Sequence, residues 1–390
     1  MKSRDIGLFG YRIRSVERKN DVEIKAAYCT RPGSCPRCAS KRIVSKGPYS
    51  RSLRHLDSFG LRSRIEIQLR RWQCKDCQRS FVPSLPGVGR GNHSTEPFRR
   101  KVYQDHHDGI CASLLARREG IGHASIGRIY AQFTYLKAQE RKNQTCPAVI
   151  GIDEHTLHRG QRFVTTFCNL KNRRIFDVVE GKSQADLQGF LSALKGREKV
   201  KVVCIDLCSS YRQLIRKWFP NAKIVADRFH VVRIVQYHFL RFCRALVPEL
   251  KNRRGLLRCL RKNPENLTEK DKPRLKSFLV KQPAIRELYK KQLELRALLK
   301  LKTLGKESVA RRIPEWLSMT AELKACPLEA MTTLGNTLES WSEEIIRMWR
   351  FTRSNGITEG FHRKMKLIQR RAYGFRNFEN YRLRVIAQCG

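Results

Sequence analysis

Two CxxC pairs, Cys35 with Cys38 in SCPRCAS and Cys74 with Cys77 in WQCKDCQRSF, restrict what this chain can fold into more than any other feature. Two intervening residues let both thiolates of a pair reach one ion from a tight knuckle, and two knuckles complete a tetrahedral four-sulfur site. The segments RHLDSFG and SRIEIQLRRWQC between the pairs are strand-like, which is the layout of a zinc ribbon. Four sulfur ligands leave no open position, so the expected zinc is structural. Most of the 14 cysteines lie singly, and a chain of 390 residues is no short disulfide scaffold. Neither pair sits in a thioredoxin-like unit, which argues against a redox role.

Charge narrows the partners. Lys and Arg number 80 against 35 Asp and Glu, a formal net charge of +45. Such a protein repels itself unless a polyanion neutralises it. Nucleic acid is the leading partner, because each neutralised phosphate releases a condensed counterion. Hydrophobic residues make up 41%, enough to bury cores. No uninterrupted apolar stretch is long enough to span a bilayer, and MKSRDIGLFGYRIRS lacks the apolar centre of a signal peptide. No membrane partner and a cytoplasmic, nucleoid-associated location are expected.

The length implies several domains. Residues 1–92 hold both CxxC pairs and end in the loop-like PSLPGVGRGNHS. Residues 93–140 read as three helices, PFRRKVYQDH, ASLLARREG and ASIGRIYAQFTYLKAQ, followed by a linker, ERKNQTCP. Within them Ala112 to Phe133 has the form of a helix-turn-helix. Leu114, Leu115 and Ala116 would anchor the first helix; Gly120 and Gly122 bracket Ile121 in the turn; Ser125, Ile126, Ile129 and Phe133 carry the second helix. Arg128 would then reach a base edge or a phosphate. A plain helical hairpin with a glycine turn is the alternative.

Residues 148–240 alternate strand and helix signals in the order β-β-β-α-β-α-β-α, which suits a mixed sheet with helices packed on it. Residues 241–350 read as wholly helical, and NGITEGFHRKMKLIQRRA, 355–372, as one further helix.

Acidic residues stand at telling places. Asp153 ends the apolar run VIGID and Asp206 ends VKVVCID. A carboxylate at the end of a buried strand is held rigidly at a sheet edge, where a hard cation can collect several oxygens. Glu359, in ITEGFHRKMK, is the choice for a third ligand. Lys366 lies two helical turns along the same face, with Arg363 and Lys364 adding positive charge for DNA. Two magnesium or manganese ions in such a site would clamp the attacking and leaving oxygens of a phosphoryl displacement. Each acid alone has a plainer reading, as a cap, a turn residue or a solvated helix acid, and Glu154 competes with its neighbour Asp153. Asp227 and His230, in ADRFHVV, could orient DNA or water near the metals. Equally, Asp227 could cap the next helix and His230 fill a core gap. Cys204 and Cys208, flanking Asp206, read as packing residues.

At this point the chain resembles the ISL-three group of bacterial insertion-sequence transposases, of the DDE type, over nearly its whole length. CPRC with RRWQCKDCQRSF is similar to that group's zinc ribbon, and GIDEH and VVCIDLCSSYR to the blocks carrying its first two catalytic acids, here Asp153 and Asp206. NAKIVADRFHVVRIV is similar to its DxFH block, and NGITEGFHRKMKLIQRRAYGFRNFENYRLR to the block with its catalytic Glu, here Glu359. The resemblance implies an RNase H-like catalytic domain, 148–240 with 351–390, interrupted by a helical insertion, 241–350. It further implies terminal inverted repeats and target DNA as double-stranded partners, and self-association in a synaptic complex. The rival readings are a non-catalytic zinc-ribbon and helix-turn-helix regulator, or a domesticated transposase, and another RNase H-like nuclease.

Overall fold

The computed structural model describes residues 9–141, 143–158, 162–351 and 356–390, with only the backbone of His158. Residues 1–8 of the N-terminal segment, Lys142 of the expected linker and Asn355 at the head of the last helix candidate lie outside the described residues. The chain divides into two compact units, Met1–Lys137 and Ala138–Gly390.

The first unit is built on strands β1 (Arg12–Arg18), β2 (Val22–Ala27), β3 (Ile43–Ser58), β4 (Leu61–Cys74) and β5 (Ser80–Phe81). They form one sheet in the order β1-β2-β4-β3, with β5 beside β4. What separates the CxxC pairs is therefore a long antiparallel hairpin, β3–β4, rather than a loop. Its turn is the two residues Phe59 and Gly60, both with positive φ (55° and 74°), the backbone that matches the twist of a tight hairpin. Along β4, Ile65, Ile67 and Leu69 face inward and Arg64, Gln68 and Arg70 outward, so the period-2 pattern fixes the register. Ile24, Leu53 and Leu85 complete that core. The sequence reading did not anticipate β1 and β2, whose alternation is obscured by charged residues on the outer face.

Helices α1 (Glu96–His107), α2 (Ala112–Glu119) and α3 (His123–Gln139) follow, packed around Phe98, Val102, Leu115, Ile126 and Ile129. Gly120 ends α2 in the left-handed conformation, φ 65°, where a Cβ would meet the Arg62 guanidinium at 2.9 Å. That guanidinium donates to the Arg117 carbonyl at 2.7 Å and so satisfies one of the open carbonyls at the helix end. Leu114, expected as an anchor, points outward and is exposed, whereas Leu115 is buried in the core and Ala116 packs against it, as expected.

The second unit opens with β6 (Val149–His158), β7 (Arg162–Asn169), β8 (Arg174–Glu180), α4 (Gln184–Ala193), β9 (Val202–Ile205), α5 (Ser209–Trp218), β10 (Lys223–Ala226) and α6 (Arg228–Leu246). This is the strand and helix order read from the sequence. The sheet runs β10-β9-β6-β7-β8; β10, β9 and β6 are mutually parallel and β7 is antiparallel to both its neighbours. Ser183 and Asp186 close a capping box that starts α4. Then come α7 (Arg254–Arg261), α8 (Asp271–Lys281), α9 (Pro283–Lys300), α10 (Lys306–Ala325), α11 (Glu329–Ser340) and α12 (Ser342–Met348), with no strand among them. Last are α13 (Gly356–Arg371) and α14 (Phe378–Cys389), the latter not anticipated. No helix among the described residues is long and apolar enough to cross a membrane.

The sheet is covered on both faces. Ile150, Ile152, Phe167, Val203 and Ile205 join a core with Leu187 of α4, Leu214 of α5 and the buried Trp316 and Trp349. Leu157, Val164, Cys168 and Cys204 join another with Met365 and Ile368 of α13 and Tyr381 and Val385 of α14. Burial of this extent, at about 1.5–3 kcal/mol per large side chain, outweighs local propensity and fixes which face each strand residue takes.

Candidate active site and zinc centre

The zinc centre follows from two matching knuckles. In each, the residue after the second cysteine, Ala39 or Gln78, takes a positive φ (57° and 56°) and folds the chain back. Ile43 pairs with Cys74 across the hairpin, which draws the knuckles together. Cys35 Sγ lies 3.6 Å from Cys77 Sγ and Cys38 Sγ 3.6 Å from Cys74 Sγ. A tetrahedron with zinc–sulfur bonds of about 2.3 Å has edges of ~3.8 Å, so the spacing fits one zinc ion. The backbone N–H of Cys38, helped by that of Arg37, draws the Cys35 thiol down to about 6. The N–H groups of Cys77 and Asp76 lower Cys74 in the same way. At Cys38 the pull of the Ser40 N–H is outweighed by hydrogen bonds to the other thiols, which raise it to about 12, and it would lose its proton to the metal. Thiolates are the form that binds metal.

The carboxylates come together through strand register. Ile150 pairs with Val203 and Gly151 with Cys204, so Asp153 stands level with Asp206. Val225 pairs with Cys204 and Ala226 with Ile205, so Asp227 stands level with Asp206 too. Three aspartates therefore occupy one row across three parallel strands. Asp206 and Asp227 directly follow β9 and β10, as the sequence suggested. Asp153 does not end its strand: β6 continues to His158, because its hairpin with β7 outlasts its pairing with β9. The apolar run stops where the parallel neighbour stops. Strand alternation also separates the two adjacent acids. Asp153 takes the α13 face, whereas Glu154 is exposed on the other, where the Tyr211 hydroxyl lies 3.4 Å away.

Ligand atoms of Asp206, Asp227 and His230 all lie within 4.8 Å of one another. His230 Nδ1 donates to Asp206 Oδ2. Burial alone would lower His230, but the hydrogen bond and charge of Asp206, with Asp227 and Asp153 behind it, hold it above its ordinary value. His230 thus faces the acids and is no core filler. Asp227 occupies the N-cap position of α6 but makes no side-chain capping bond. Asp206 Oδ1 is buried with no hydrogen-bond partner among the described residues. Burial, and then the charge of Asp206, push Asp153 up to about 7. An orphaned buried oxygen beside mutually repelling carboxylates is what a hard divalent cation fits. Cys204 packs in the core, and Cys208 contacts Ser210 Oγ at 3.0 Å.

Helix α13 covers Asp153. Its buried stripe is Thr358, His362, Met365 and Ile368, and His362 Nδ1 lies 3.6 Å from Asp153 Oδ2. Glu359 is one turn before His362, partly exposed, and accepts from Arg363 at 2.8 Å. It is not among the three tightly clustered ligands. Lys364 Nζ bonds the Gln388 carbonyl. Lys366 is exposed, and its charge acts on His155 and His362. Arg128 is exposed on α3, with Nη2 3.0 Å from Ser125 Oγ. Sequence reasoning passed over His362 and His155; the one signal for His362 was its position a turn after Glu359.

Residues 150–385 match the family model for the ISL3-type DDE domain, described as a transposase. The chain belongs to the ISL3 family of transposases. Residues 31–77 match the "zinc-finger of transposase IS204/IS1001/IS1096/IS1165", and the four cysteines form this family's structural zinc site. Among its relatives is the transposase for insertion sequence element IS1001 of Bordetella parapertussis, 24% identical over 405 residues, covering 98% of this chain and 96% of that protein. The transposase for element IS1557 of Mycobacterium tuberculosis, strain H37Rv, is 24% identical over 258 residues, 58% of this chain and 57% of its own length. The ISL3 chain is thus a DDE-type insertion-sequence transposase, an enzyme rather than a bare DNA-binding regulator.

Proposed function

We propose that this transposase binds double-stranded terminal inverted repeats through its zinc ribbon (1–92) and a helix-turn-helix (93–140). Catalysis falls to an RNase H-like core, 148–240 with 351–390, interrupted by the helical insertion 241–350. The strand order, with a single strand running antiparallel to both neighbours beside three parallel ones, supports the RNase H-like reading. The observation that carries the proposal is the row of level aspartates with an orphaned Asp206 oxygen.

In this reading Asp153, Asp206 and Glu359 hold two magnesium or manganese ions, with Asp227 and His230 beside them. The ions, when bound, supply activation of the attacking oxygen and stabilisation of the leaving oxygen. The protein's own groups do the rest. Asp153 and Asp206 are fixed by backbone register, so they need little reorganisation. His230 orients Asp206. Arg363, Lys364 and Lys366 neutralise phosphates along α13, and Arg128 meets DNA from α3. Hydrolysis frees a 3′-hydroxyl, which attacks target DNA at the same site. Two copies of the chain, each holding one element end, would form the synaptic complex.

The test is a duplex carrying the element's paired ends, incubated with the protein and Mg²⁺ or Mn²⁺. Metal-dependent nicking at the ends, absent in Asp206→Asn although that variant still binds, is expected. Binding without cleavage under any divalent cation would overturn the catalytic reading.

A further inference from the structure

The sheet face beneath α13 and α14 is largely apolar, with an ion pair of Asp177 and Arg382 between β8 and α14 and a polar cluster beneath α13. There Thr166, directly opposite Asp153 across β6 and β7, lies 3.2 Å from His362 Nε2. The His362 ring packs against that of His155, tilted by 41° with centroids 4.5 Å apart. His155 Nε2 in turn lies 3.0 Å from the Tyr381 hydroxyl of α14. All four side chains are buried. Burying two imidazoles costs free energy that packing apolar side chains there would not. The two edges of the His362 ring have different neighbours: Nε2 meets the Thr166 hydroxyl, and Nδ1 faces Asp153 Oδ2 at 3.6 Å. That gap is longer than a hydrogen bond and is an electrostatic contact, while Asp153 Oδ1 accepts from the Glu154 N–H at 2.8 Å.

We propose that His362 is a positioning residue for Asp153: its imidazole, seated on Thr166 and packed against His155, holds the carboxylate in place beside Asp206 for a divalent cation. The inference rests on the reading of Asp153 as a metal ligand. Groups that orient a ligating carboxylate are typically worth about 10–100-fold in metal affinity. The same contact sets the rotation of α13, which carries Glu359.

Two amides separate the imidazole's two edges. Asparagine at 362 keeps a donor near the Nδ1 place, facing Asp153. Glutamine keeps one near the Nε2 place, facing Thr166. The experiment is calorimetric titration of Mn²⁺ into the full-length, zinc-loaded protein, with folding followed by circular dichroism and zinc content. His362→Phe and His362→Gln should weaken Mn²⁺ binding about tenfold, and His362→Asn should recover most of the affinity. Equal affinities for the Asn and Gln variants, or wild-type affinity for the Phe variant, would overturn the proposal. Asp153→Asn is the reference. If it leaves Mn²⁺ binding unchanged, the metal reading of Asp153 fails and takes the inference with it. If it abolishes binding while the His362 variants bind normally, only the inference fails.

Discussion

Both units close buried charge with a counter-charge, as Arg212 does for Glu344 at 2.9 Å in the second, but the second also holds a row of acids. In the first, each buried charge has its counter-charge within the unit or in one closed metal site. Glu119 is buried and paired with Lys101 at 2.7 Å and Arg118 at 2.9 Å. Arg54, also buried, lies 3.5 Å from the same carboxylate and 4.7 Å from the centre of the Phe98 ring. The four thiols surround a single cation's place. In the second unit, Asp153, Asp206 and Asp227 share one row, with His230 against Asp206 and His362 near Asp153. Two carboxylates within 4.8 Å, at an effective dielectric of about 20, repel by roughly 3 kcal/mol. Structural charge is closed off, and functional charge is left open for what it must bind.

Breaking the open site should have the largest effect. Asp206→Asn is expected to lower metal-dependent end cleavage by about a thousandfold or more, read by a single-turnover assay, with end binding kept. Residual cleavage close to wild type would move the site elsewhere. Opening the closed metal site comes next. Cys74→Ser should release zinc, measured by mass spectrometry, and cost several kcal/mol in the first unit. Faster amide exchange should concentrate at the knuckles and the adjoining ends of β3 and β4. The hairpin tip at Phe59 and Gly60, held by Arg62 and the Ile65–Ile67 core, should change least.

A smaller effect sharpens the contrast further. Glu119→Ala removes the buried carboxylate that Lys101, Arg118 and Arg54 share, leaving Arg54 with Asp57, and should cost about 1–3 kcal/mol, seen as a lower thermal midpoint. The same carboxylate predicts a pH effect. Burial would raise Glu119, but hydrogen bonds and charge from Lys101 and Arg118 win and lower it. Its pairing therefore contributes stability above the ordinary carboxylate range, lost as pH falls through its depressed folded value. In Glu119→Ala the acid limb of the stability curve should flatten. The smallest change is Tyr381→Phe, which strips His155 of its hydroxyl partner and should cost ~1 kcal/mol in denaturant titration.

Much of this was legible beforehand. The zinc knuckles are local, so spacing alone announced them. The order of strands and helices across 148–240 showed in hydrophobic period, because both faces of the sheet are covered. Strands β1 and β2 escaped notice because charged residues interrupt their alternation, and α14 because its buried residues fall among Arg, Asn and Gln. Leu114 misled because three consecutive apolar residues cannot all face one side of a helix. Asp153 looked like a strand end because only its parallel partner stops there.

The amino-acid order by itself determined the ligand types, the knuckle spacing and the alternation that puts Asp153 and Glu154 on opposite faces, since these follow from covalent geometry and a period of two. Only the tertiary structure decided that Asp153, Asp206 and Asp227 share a level, that His230 turns to Asp206, and that His362 reaches Asp153. Those depend on register between strands distant in sequence and on how α13 packs, which long-range burial sets.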